Sequence, residues 1–197
     1  MAEERKLDRR VAYTKLVLRK ALLELMQSQH ISEITITSLC ELADINRSTF
    51  YLHYRDQYDL LHKIEEEVLI HVAEIMATAQ DSAKVGIAWT PVTREMILAI
   101  LDYAKENYSL ARILFGKNCD FNFQQDILDL IKKLVPFPES PLDKRTIDII
   151  MTHAINGGLD LLERWIFEGA IEDPAVIADV MLKLIYSGTT SFNSSED

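Results

Sequence analysis

The sequence predicts an all-helical protein in two parts, a small three-helix domain in front and a larger helical domain behind. Three observations lead there. Apolar residues recur mainly three and four apart, the period of a helix face. The 197 residues include only six glycines and five prolines, so few positions interrupt a helix. The charge is also divided: residues 1–60 carry nine basic and nine acidic side chains, residues 61–197 carry 12 and 22. The whole formal charge of −10 therefore lies behind residue 60.

Taken in order, the first helix is predicted from about Asp8 to Gln29, with Thr14, Leu18, Ala21, Leu22 and Leu25 on one face. Ile31-Ser32-Glu33-Ile34-Thr35-Ile36 alternates briefly, but no partner strand is near, so it reads as a connector whose isoleucines plug the core. Thr35 or Thr37 offers an N-cap hydroxyl for a short helix through Ala43. Asp44-Ile45-Asn46 is a turn, and Asn46 caps a second short helix, Arg47 to Tyr54. Asp56 caps a longer helix to about Gln80, with Leu60, Leu61, Ile64, Val68, His71, Val72 and Ile75 as its apolar stripe. Glu65-Glu66-Glu67 reads as a solvated face.

Residues 81–91, with Gly86 and Pro91, read as a loop. Helices follow over about 92–106, 108–116 and 123–135. Pro136, Pro138 and Pro141 make a rigid connection. Asp143 caps a long helix to about Glu168, Gly169 ends it, and Asp173 with Pro174 starts the last helix, to about Ser187. The domains are predicted at 1–60 and 61–190, with a frayed tail at 191–197.

Composition excludes several classes. Cys40 and Cys119 make neither a disulfide framework nor a zinc spacing and read as small buried apolar groups. The charged start MAEERKLDRR lacks the apolar region of a signal peptide, and no apolar run approaches the ~18 residues of a membrane span. A cytoplasmic location is expected. No G-x-S-x-G, phosphate loop, dinucleotide fingerprint or H-E-x-x-H occurs, and the five histidines show no metal spacing. No enzyme, cofactor or metal is expected.

Function is concentrated in residues 35–58, TITSLCELADINRSTFYLHYRDQY. Two helices of about eight residues are too short to stand alone and must lean on the first helix. Leu39, Cys40, Ala43, Ile45 and Phe50 give the inward faces. The outward face of the second carries Arg47, Ser48, Thr49, Tyr51, Leu52 and His53. Arg grips guanine bidentately, Ser and Thr bond bases, and Tyr and His reach phosphates. From these residues alone, a DNA-reading helix and a plain polar face both remain open.

ITITSLCELADINRSTFYLHYRDQYDLL resembles the DNA-binding segment of the TetR family of bacterial regulators. The matching positions are Thr35-Ile36, Leu39-Cys40 with Ala43, Ile45-Asn46, Thr49-Phe50-Tyr51, His53-Tyr54 and Asp59-Leu60-Leu61. With the flanking helices the likeness covers about 60 residues. One departure is Asp44, where the family usually has Gly. The resemblance implies that Thr37 and Ser38 meet the backbone or a base, and that Arg47, Ser48 and Thr49 reach base edges. Tyr51 and His53 would hold phosphates, with Arg55 and Gln57 as weaker candidates, while Leu52 reads a thymine methyl or nothing. Arg5, Lys6, Arg9 and Arg10 form either an arm over a neighbouring groove or an untethered basic end.

The family pairs through its last two helices, so a homodimer on a near-palindromic operator is implied. The pairing candidates are Ile147, Met151, Ala154, Gly158, Leu162 and Trp165 on the long helix and Val176, Val180, Met181 and Leu184 on the last. Gly157-Gly158 in mid-helix suggests either close helix approach or a kink. GLDLLERWIFEGAIEDPAVIADVML also resembles, more weakly, the rear domain of a Gram-positive subgroup. A small-molecule effector is implied as well, with Trp89, Met96, Tyr103, Tyr108, Phe115, Phe121, Phe123 and Met151 as wall candidates or ordinary core. The function implied is a repressor released by such an inducer. The alternative is a regulator fold that works through a protein partner with DNA reading weakened or lost.

Overall fold

The computed structural model describes residues 2–83, 92–116, 118, 122–135 and 141–190, with backbone alone at 2–8, 79–83, 122 and 187–190. The described residues form nine α-helices, one 3-10 turn and no strand. The helices are α1 (Ala2–Leu25), α2 (Ile36–Ala43), α3 (Arg47–Tyr51), α4 (Gln57–Ala83), α5 (Arg94–Glu106), α6 (Tyr108–Leu114), α7 (Asn122–Leu134), α8 (Lys144–Phe167) and α9 (Pro174–Thr190). Positions 84–91 of the predicted 81–91 loop, Cys119, Pro136, Pro138 and the 191–197 tail lie outside the described residues.

The fold is the expected one, with shifted edges. α1 begins at Ala2 rather than Asp8 and ends at Leu25 rather than Gln29. Its first turns, AEERKLD, are mostly good helix formers, so nothing in them stops the helix. α3 is shorter than predicted, ending at Tyr51. α4 runs to Ala83 and α9 to Thr190, so positions 81–83 and 188–190 are helical where a loop and a tail were expected.

The chain divides into two compact units, Met1–Val68 with Ile113–Phe121, and Leu69–Arg112 with Asn122–Asp197. The division falls inside α4, eight residues after the predicted boundary at 60, and brings the end of α6 and the stretch after it into the front unit. In the front unit Leu18 and Leu22 of α1, Leu39 of α2, Phe50 of α3 and Leu60 and Ile64 of α4 are fully buried. Ile31 and Ile34 plug the same core from the connector, each buried side chain contributing roughly 1.5–3 kcal/mol. Asn118 closes the joint after α1: its carbonyl accepts the Ile31 N–H at 3.2 Å, and its side-chain amide donates to the Met26 carbonyl at 2.9 Å.

α4 departs from the solvated-face reading at one residue. Glu65 is only 8% exposed, because it shares the helix face of Leu61, Val68 and Val72. His62 Nδ1 approaches its carboxylate at 3.7 Å. His71, placed in the apolar stripe from sequence, is exposed and stacks on Tyr103 with ring centres 4.3 Å apart.

In the rear unit α5 packs on α9 and α8, and α7 packs on α8. Met96, Ile97 and Leu101 of α5, Phe123, Ile127 and Leu128 of α7, and Leu162, Trp165 and Ile166 of α8 supply its interior. Arg94 bonds Asp179 through Nε at 2.6 Å, and the Tyr186 hydroxyl donates to the Val92 carbonyl at 2.6 Å, tying the N-terminal end of α5 to α9. Gly169 ends α8 at φ 103°, a conformation that favours glycine. Among the described residues no helix is long and apolar enough to cross a membrane.

Candidate nucleic-acid interface

Two short helices are held by their own side chains. Thr35 is the N-cap of α2: its hydroxyl accepts the Ser38 N–H at 3.1 Å, and the Ser38 hydroxyl accepts the Thr35 N–H at 3.2 Å. This reciprocal box settles the choice between Thr35 and Thr37 and satisfies two orphan donors at once. α2 ends at Asp44, which sits left-handed at φ 53°, ψ 45°. The Ile45 N–H then reaches back to the Cys40 carbonyl at 3.0 Å, closing the helix end as a glycine would. Asn46 caps α3, its Oδ1 accepting both the N–H and the hydroxyl of Ser48 at 2.9 Å.

The buried sides of these helices leave a defined outer face. Phe50 is completely buried, with its ring edge-on to Tyr51 at 5.6 Å and tilted to Tyr54 at 5.8 Å. That anchor turns the rest of α3 outward. Arg47 and Ser48 are exposed, Tyr51 is 52% exposed, and Leu52, just past the helix, is 80% exposed. Positions 47, 48, 51 and 52 share one helical face. Thr49 and His53 are half-buried at its flanks. Thr37 is exposed on α2 and lines, with Cys40, Glu41, Asp44, Ile45, Asn46 and Arg47, an open recess of about 380 Å³ at the turn.

The remaining predicted contacts fall less centrally. Ser38 is half-buried, and its hydroxyl is engaged in the capping box, donating to the Thr35 carbonyl at 2.9 Å. Arg55 is exposed and its guanidinium stands 3.9 Å from Asp59, while Gln57 is half-buried at the start of α4. Arg9 and Arg10 are exposed on α1; the side chains of Arg5 and Lys6 lie outside the described residues. Glu41 was not anticipated. It lies one turn before the chain reversal, and only the folded turn places it beside Arg47.

Charge states support the division between inside and outside. Burial pushes the Cys40 thiol up, and the Arg47 guanidinium pulls it partly back, so it stays a neutral thiol. The Tyr54 hydroxyl is raised by burial first and by Glu67 and Asp59 next, with Arg19 opposing. Arg19 of α1 also pairs with Glu67 of α4.

The rear-unit candidates divide in the same way. Met96 and Phe123 are buried, as is Phe115, which falls in the front unit, and Tyr103, Tyr108 and Met151 are half-buried. Trp89 and Phe121 lie outside the described residues. Among the pairing candidates, Val176, Val180 and Leu184 are 54%, 46% and 58% exposed and recur every four residues along α9. Ile147, Met151, Ala154, Gly158 and Met181 are half-buried. A Cβ on Gly158 would meet Met181 Cε at 3.4 Å, so this glycine serves the α8–α9 contact inside one protomer, whereas Gly157 faces open space.

Leu162 and Trp165 are corrected by the structure, since they are buried within the protomer rather than on its surface. Trp165 is 3% exposed and its indole N–H has no acceptor among the described residues. A buried donor left in this way costs about 1–3 kcal/mol.

A capped helix-turn-helix with a polar outer face, followed by a helical rear unit, defines the class of two-part helical regulators. The chain resembles TetR-type transcriptional regulators: residues 93–187 match the TetR-type family model described as transcriptional regulator C-terminal region. It is 26% identical over 186 residues to the "Uncharacterized HTH-type transcriptional regulator YxbF" of Bacillus subtilis, covering 93% of this chain and 47% of that one. The chain thus spans about half the length of the curated relative it matches.

Two solved structures share the fold. A TetR transcriptional regulator from Streptococcus agalactiae superposes with a TM-score of 0.66 at 21% identity, covering 92% of this chain and 98% of that one. The transcriptional regulator FadR from Bacillus subtilis, solved with stearoyl-CoA, gives 0.59 at 15% identity, covering 88% and 98%.

Proposed function

We propose that the chain is a repressor that reads a near-palindromic double-stranded operator as a homodimer and is released by a small-molecule effector bound in the rear unit. The observation that carries this reading is the outer face of α3, where Arg47, Ser48, Tyr51 and Leu52 point outward together because Phe50 is fully buried behind them. Arg47 and Ser48 at the start of the helix supply base-edge hydrogen bonds. Tyr51 supplies a phosphate contact, and Leu52 an apolar surface for a thymine methyl.

Pairing follows from the size of the reader. One such helix contacts too few base pairs to be selective, and paired readers sit about 34–36 Å apart on the duplex. The Val176–Val180–Leu184 stripe on α9 is the surface offered to the second copy, and Gly157 on α8 leaves open space for its close approach. A dimer seated over a promoter blocks transcription by occupancy. The effector reading is supported by the half-buried aromatic side chains of α5 and α6 and by FadR, a protein of the same fold solved with stearoyl-CoA.

Binding to DNA from the promoter of the neighbouring gene, followed by fluorescence anisotropy across a salt series, tests this reading. Affinity is expected to fall linearly on a log–log plot as counterions are released. Feeble binding, flat with salt and indifferent to sequence, would favour a regulator that acts through a protein partner.

A further inference from the structure

We propose that Trp165 and Lys105 receive the carboxylate of the effector, which is then an amphipathic monocarboxylate. This rests on the effector-responsive reading above and names the chemistry of its ligand. The indole N–H of Trp165 is a strong donor, held almost wholly out of solvent, with no acceptor among the described residues. Native interiors rarely leave such a group unmet, and an acceptor brought by a ligand meets it.

The surroundings select the acceptor. The Lys105 ammonium on α5 lies 5.8 Å from the centre of the Trp165 ring. Further along, the Arg112 guanidinium stands 5.8 Å from the Tyr108 ring and 5.6 Å from the Phe167 ring. Among the described residues neither cation is paired with a carboxylate, although acidic side chains outnumber basic ones by 22 to 12 behind residue 60. An orphan donor and an unpaired cation at one indole favour an anionic oxygen over a neutral or cationic group.

The depth of the donor selects what carries that anion. A bare inorganic ion would lose its hydration on reaching a buried indole, which is costly. A carboxylate on an apolar body brings its own packing atoms to an interior built from Leu101 and Ala104 of α5 and Leu162 of α8, one turn before Trp165.

The test uses the full chain labelled with ¹⁵N at its two tryptophans, Trp165→Phe assigning the resonance by its loss. Octanoate is titrated against octanol and octylamine, which share its chain length and differ in charge. The Trp165 N–H is expected to move downfield with octanoate alone. Affinity for octanoate is expected to fall about tenfold in Trp165→Phe, the loss of one charge-assisted hydrogen bond. Lys105→Gln, on an exposed position that leaves the fold intact, should weaken it in the same direction.

An unmoved Trp165 resonance, or equal shifts with octanol, overturns the assignment. So does undiminished octanoate affinity in both variants. Operator anisotropy measured in parallel separates the two readings. Octanoate that binds at Trp165 without changing operator affinity upholds the site and sinks effector release. Release by another compound with the Trp165 signal fixed does the reverse.

Discussion

The front and rear units differ in what they leave open. The front unit closes its short helices with its own side chains, Thr35 with Ser38 and Asn46 with Ser48, and shows a mostly polar outer face on α3. The rear unit caps its helices too, with Thr93 and Asp143, yet it exposes an apolar stripe on α9 and buries a donor that meets no acceptor among the described residues. A polar outer face is stable in water without a partner. An exposed apolar row and an orphaned N–H both lower their free energy when another molecule arrives. Under the proposed function the difference assigns roles: the front unit is complete before it binds, and the rear unit is arranged around what it would bind.

The largest expected effect breaks the completeness of the front unit. Phe50→Ala removes the fully buried ring on which α3 rests, and about 3–5 kcal/mol of stability should go with it. Denaturant melts measure this directly. A loss below about 1 kcal/mol would mean that α3 is held by its caps rather than by its core. The next tests the rear unit's proposed pairing. Val180→Glu with Leu184→Glu places two charges on the exposed stripe and should leave helicity unchanged by circular dichroism. Sedimentation should find a monomer, and operator affinity should drop about a hundredfold or more, because the second half-site loses its tether. A dimer that survives both charges would move the pairing surface off α9.

A smaller effect sharpens the reading face itself. Arg47→Ala should cost about 1–3 kcal/mol at one base position and relax preference there, whereas Tyr51→Phe should weaken every site alike by removing a phosphate contact. Competition binding against single-base operator variants separates the two. If Arg47→Ala weakens all sequences equally, Arg47 is a phosphate contact and base reading lies elsewhere on α3.

The front unit was readable because its signals are local. Cap, turn and anchor lie within Thr35 to Tyr54, and each residue type has one structural use at its position. The rear unit was readable only as helices. Spacing put Leu162, Trp165 and Gly158 on an apolar stripe of α8, but a stripe does not say whether α5, α9 or a second copy covers it. The structure gives the first two to the protomer interior and Gly158 to Met181. Glu65 shows the opposite failing: its spacing from Leu61, Val68 and Val72 carried the inward signal, and the neighbouring glutamates masked it. No sequence pattern announces that an indole N–H lacks an acceptor, because that depends on every neighbour in three dimensions.

The smallest effect concerns the one place where the front unit strains against its own sequence. Asp44 holds φ 53° at the end of α2, a left-handed conformation that costs an L-residue roughly 1–2 kcal/mol, less for Asp than for most. Asp44→Gly removes that strain but adds freedom to the unfolded chain worth about 0.5–1 kcal/mol. The two nearly cancel, so a net gain of about 0.5 kcal/mol is expected, against a loss of about 1 kcal/mol or more for Asp44→Val, whose branched side chain fits the conformation poorly. Because Asp44 lines the recess with Arg47, the glycine variant also removes a negative charge from the side of the unit proposed to approach phosphates. Operator affinity should then rise slightly in Asp44→Gly, and more at low salt than at high salt. Stability that falls on substitution by glycine would show instead that the Asp44 side chain holds the turn through a contact of its own.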